Sequence, residues 1–194
     1  MWKTAPNEGQ RHLKWMGVIA FLTGLGSAFY HATGTQVGML ADYAGMFLDT
    51  SLVTAFNVRR WLHCSLSTMY SVFVVMTLTL LLVIWMSPGN ERIVFTLGSP
   101  CCLIELYLYF RDGKYIRYRY YLAVWVVFAV ATLVWWLDVN GYACDPKNHI
   151  LTGHAIWHIL VASTFYFYYR YYVQFEWLKP LPNNTKKRSL ESSQ

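Results

Sequence analysis

Charge is what this sequence has least of. Lys, Arg, Asp and Glu make up 13% of its 194 residues, about half the roughly 25% of a soluble domain, so there is too little of it to cover a water-facing surface. Acidic groups are scarcer than basic ones, 10 against 16, for a net charge of +6. Such a surplus raises nucleic acid as a partner, but that requires basic residues gathered on one exposed face. Here they are scattered through short connections between apolar runs, which excludes it. Cysteine is sparse too. Cys64, Cys101 and Cys102 fall inside apolar segments, where a thiol behaves as a small hydrophobe, and only Cys144 lies in a connecting stretch. That rules out a disulfide framework, and no C-x-x-C pair competes for a metal. The first thirteen residues hold Pro6, Glu8 and Gly9 but no apolar core, so no conventional signal peptide is expected and the first hydrophobic run acts as the insertion signal. There is no internal repeat and no second domain.

What is present is hydrophobic and aromatic: 56% of residues are hydrophobic, with nine Trp, fifteen Tyr and eleven Phe, rings that favour membrane interfaces. A spanning helix needs about 20 residues. Six runs approach that length, at Trp15–Ala32, Gly38–Val58, Leu62–Met86, Ile93–Phe110, Tyr120–Leu137 and Thr152–Tyr172. The fold expected is an all-α, polytopic transmembrane bundle of six helices. Residues 1–14 form a cytoplasmic N-terminal segment, 15–175 the transmembrane domain, and 176–194 a polar, disordered cytoplasmic tail. Under the positive-inside rule all sixteen basic residues except Arg92 and Lys147 then share one face. Both termini are placed in the cytoplasm.

That topology carries a set of polar residues to the opposite face. Ser27 and His31 lie four apart at the end of the first run, Asp42 follows near the start of the second, and His154 and His158 repeat the i, i+4 spacing at the start of the last. Residues four apart share a helix face. Three neutral imidazoles with one open position form a catalytic zinc arrangement, and zinc brings the pKa of a bound water to about 7. Asp42 is placed to hold or deprotonate that water, and Ser27 to orient a ligand or donate to a developing oxyanion. Each residue has a plainer alternative: Asp42 as a helix N-cap, Ser27 bonding back to its own helix, the two late histidines as an interhelical contact. His12, His63 and His149 read as interfacial hydrogen-bonders. Asp49, on the Asp42 face, is a weaker candidate near a site or substrate. Glu105 is either a packing hydrogen-bonder or catalytic, and Asp138 simply ends the fifth helix.

The segments Gly26-Ser-Ala-Phe-Tyr-His-Ala-Thr33, Trp136-Leu-Asp138 with Cys144, and Gly153-His-Ala-Ile-Trp-His-Ile-Leu160 resemble the alkaline ceramidase family. Its superfamily of membrane hydrolases includes the adiponectin and progestin receptors and the GPI-anchor remodelling lipases. The step from His31 to Asp42 is similar to that of ceramidases and remodelling lipases, while Asp42-Tyr-Ala-Gly45 is also similar to the receptor branch. The resemblance implies an integral-membrane, zinc-dependent amidohydrolase that cleaves ceramide to fatty acid and sphingoid base. His31, His154 and His158 would be its ligands, with Asp42 and Ser27 catalytic. The alternatives within reach are an ester hydrolase on glycolipid or phospholipid, and a receptor-like protein whose zinc staples helices. The family's seven-helix fold is expected here without its first helix. Calcium regulation is not expected, because Glu8 is the only acidic residue before Asp42.

Overall fold

The computed structural model describes residues 12–87, 100–112, 116–142 and 152–175. Among them every extended element is helical: α1 (Lys14–Thr33), α2 (Gln36–Leu62), α3 (Leu66–Met86), α4 (Pro100–Asp112), α5 (Arg119–Val139) and α6 (Gly153–Tyr172). The all-α expectation and the six helices hold for this part of the chain. The polar tail, His149 and Cys144 lie outside the described residues.

Local chemistry sets the turns. α1 stops at Gly34, whose left-handed φ of 59° lets its amide return to the Tyr30 carbonyl. Thr35 then caps α2 by accepting from the Gly38 amide at 3.1 Å, so two residues suffice to reverse the chain. The expected break after Val58 is corrected: α2 continues through Arg59, Arg60, Trp61 and Leu62, and turns at His63, which takes a left-handed φ of 50°. Ser65 caps α3 at the Thr68 amide. α4 has 13 residues, about 20 Å at 1.5 Å per residue; residues 93–99 of the fourth run are outside the described part.

The helices associate as two groups. α2 packs against α1, α3 and α4, and α5 packs against α6, whereas α1 and α6 touch at few points. Between α1 and α2 the approach is close enough to demand glycine. A Cβ on Gly26 would stand 2.3 Å from the Ala41 carbonyl oxygen, and one on Gly45 2.6 Å from Thr23 Cα. Small residues of this kind let membrane helices meet backbone to backbone.

The core is concentrated at one end of the bundle. Leu13, Met16 and Ile19 from the start of α1 meet Leu52, Val53 and Phe56 from the second half of α2, and Phe165, Tyr168, Tyr171 and Tyr172 from the end of α6. At that end a polar network is sealed inside. Arg60, 2% exposed, is ion-paired with Glu105, 1% exposed. Glu105 also accepts from the hydroxyls of Tyr171 at 2.5 Å and Tyr118 at 3.1 Å. Asn57 accepts from Tyr172 at 2.6 Å and donates to the Cys101 carbonyl at 3.0 Å. α2, α4 and α6, with Tyr118 just ahead of α5, are tied together by these contacts. Glu105 is thus a packing residue, the first of the two roles its sequence position allowed. Replacing it with alanine strands the Arg60 guanidinium, a defect that costs about 3–5 kcal/mol in buried pairs. Glu105→Ala should therefore show a clearly lowered midpoint in detergent-phase thermal unfolding. A midpoint unchanged from wild type would mean that Arg60 finds water or another partner.

α3 and α5 are, among the described residues, the two helices long and apolar enough to cross a membrane. Leu78, Leu82 and Trp85 on α3, and Leu122, Val126, Val130 and Leu133 on α5, face outward. Three threonines on these helices keep their hydroxyls internal: Thr77, Thr79 and Thr132 each donate to the carbonyl four residues back at 2.8 Å.

Candidate metal centre

The end of the bundle away from the core gathers the polar residues picked out by their spacing. His31 belongs to the last turn of α1 and His154 and His158 to the first two turns of α6, so residues more than 120 positions apart face each other. Their Nε2 atoms form a triangle with sides of 3.2 Å (His31–His158), 3.2 Å (His31–His154) and 3.0 Å (His154–His158). His31 is exposed and the other two are half-buried, so the triangle sits at the mouth of the bundle with one side open.

A neutral imidazole carries one N–H and one lone pair. Three rings pointing the same nitrogen at one spot cannot all be satisfied by one another, because each pair would need one donor and one acceptor. A shared cation removes the conflict, with all three lone pairs directed inward. The size is right as well. In a tetrahedral zinc shell with bonds of 2.0–2.1 Å, neighbouring nitrogens stand roughly 3.3 Å apart. Three imidazoles are also a donor set suited to zinc among the common metals. The residues present fit the ion.

Two further residues border the triangle. The Ser27 hydroxyl, 8% exposed, lies 3.4 Å from each ring nitrogen of His158. It is directed across the bundle to α6. Asp42 interacts with the Ser27 side chain and lies within electrostatic reach of His31 and His154. It is not a helix cap, since α2 already begins at Gln36 with Thr35 as its N-cap. All five residues read from spacing therefore meet at one end of the bundle.

The other candidates separate from this group. Asp49 is two turns further along α2, with a buried Oδ1 that has no hydrogen-bond partner among the described residues, and its electrostatic neighbours are Cys101 and Tyr168. His12 hydrogen-bonds the Tyr70 hydroxyl at 2.7 Å, and His63 is the α2 C-cap; neither approaches the triangle. Sequence spacing passed over the aromatic flanks, Tyr30 against His31 and Trp157 against His158, with ring centroids 5.3 and 4.6 Å apart. They adjoin ligand-type residues in sequence, which is the signal that marks them.

A model of the family described as Ceramidase matches residues 1–192. The chain belongs to the ceramidase family. Ceramidases are hydrolases that cleave the amide of ceramide, so the reaction class and the lipid nature of the substrate follow from membership. No curated protein and no solved structure matches this ceramidase. The family match covers both halves of the histidine triangle, bringing α1 and α6 of the ceramidase under one assignment.

Proposed function

We propose that this ceramidase is an integral-membrane, zinc-dependent amidohydrolase, with His31, His154 and His158 holding the metal and Asp42 and Ser27 acting on the reacting amide. The observation that carries the reading is the convergence of three Nε2 atoms within 3.2 Å of one another in a chain of a ceramide-cleaving family. Zinc bound there would polarise the amide carbonyl and make water acidic enough to react near neutral pH. Asp42 accepts a proton from the attacking water as its oxygen adds to the carbonyl carbon. The Ser27 hydroxyl donates a hydrogen bond to the oxygen on which negative charge develops. Asp42 then returns the proton to the amide nitrogen, the C–N bond breaks, and a fatty acid and a sphingoid-base amine leave.

The outward apolar faces of α3 and α5 support membrane embedding, since rows of exposed large apolar side chains on a water-facing surface favour aggregation. With both termini cytoplasmic, the triangle faces the lumenal, periplasmic or extracellular side. The substrate then reaches it from the bilayer. The deciding experiment measures metal content and turnover on one purified, detergent-solubilised sample. The expected result is one zinc per chain together with release of fatty acid and sphingoid base from ceramide. Bound zinc without turnover of any lipid would leave the metal a structural staple, and turnover without zinc would remove it from the mechanism.

A further inference from the structure

We propose that Asp138, in the last turn of α5, is a positioning residue that sets where α6 presents His154 to the metal. The inference rests on the zinc reading above. Its basis is a contact between helices. Asp138 Oδ1 accepts from the Gly153 amide at 3.2 Å and Oδ2 from the His154 amide at 3.1 Å. Both oxygens of one carboxylate are thus spent on the first two residues of α6. These amides have no partner inside their own helix, and the positive end of the helix dipole favours the negative charge there.

The contact is built rather than incidental. A Cβ on Gly153 would lie 2.6 Å from Asp138 Cβ and 3.0 Å from its Cγ, so glycine is what permits the carboxylate to come so close. Thr152 satisfies the next free amide, its hydroxyl accepting from Ala155 at 3.1 Å. The first turn of α6 is therefore fixed in three dimensions by one side chain of α5 and one of its own. That matters because the next fully buried residue of α6 after Gly153 is Thr164. Without Asp138 the amides of Gly153 and His154 lose the carboxylate that sets their place against α5, and a shift of about 1 Å at His154 is enough to spoil such a site.

The test is zinc affinity, read by competition with a chromophoric chelator on the detergent-solubilised full-length protein, next to ceramide turnover at limiting and saturating zinc. Asp138→Asn keeps one carbonyl acceptor and should weaken zinc binding several-fold. Asp138→Ala should weaken it about 10- to 100-fold, the range for groups that orient metal ligands. Saturating zinc should then restore turnover, which no general loss of fold would allow. Asparagine serves alone if the alanine variant does not fold. Wild-type affinity in either variant overturns the positioning role, as does lost turnover that saturating zinc leaves unrepaired. A wild-type protein that binds no zinc would instead refute the metal reading itself.

Discussion

Replacing His158 with alanine is expected to abolish ceramide hydrolysis, with turnover falling at least about a thousandfold, or roughly 4 kcal/mol of transition-state stabilisation. His158 contributes one corner of the triangle and also borders Ser27, so on the proposed zinc reading its removal strips a ligand and releases the hydroxyl that would meet the oxyanion. The fold should survive. His158 is half-buried at the open end, while the larger hydrophobic cluster and the Arg60–Glu105 network occupy the other. Zinc content should fall well below one per chain with helicity unchanged. Strong chelation of wild-type protein should reproduce the loss, and added zinc should reverse it in wild type but not in the variant. Turnover that withstands both the substitution and chelation would exclude the mechanism.

Asp42→Asn is expected to separate metal binding from chemistry. The amide has nearly the shape of the carboxylate and can still meet Ser27, but it cannot take a proton from water or hand one to the leaving amine. General acid–base groups contribute about 10²–10⁴-fold, so turnover should fall by that factor while zinc stays bound at wild-type stoichiometry. Measuring kcat and metal content together decides the role. Parallel loss of zinc and activity would reassign Asp42 as a fourth ligand, and full activity would reduce it to a polar neighbour.

Much of this arrangement was legible in the residues because two independent patterns agreed. Apolar runs gave the helices, and the alternation of helix direction sent Ser27, His31, Asp42, His154 and His158 to one end. The failures have physical causes. Arg59 and Arg60 look like a loop between spans, yet both lie in α2: Arg59 bonds the Cys64 carbonyl at 2.9 Å and Arg60 is neutralised by Glu105, 45 residues away. A charge costs a helix little when its partner is fixed, and that partner cannot be found by scanning neighbours. Asp138 was legible as a helix end but not as the cap of the next helix, because that depends on the approach permitted by Gly153. Asp49 shares a helix face with Asp42, but two turns carry it to other neighbours.

The sparse meeting of α1 and α6 would give a metal held by His31, His154 and His158 a mechanical part as well. The bundle resembles a hinged pair of leaves, bound along the tyrosine-rich spine and fastened at the free edge by three rings from opposite leaves. Such an ion would latch that edge, and its departure would leave α1 and α6 free to part at the open side of the triangle.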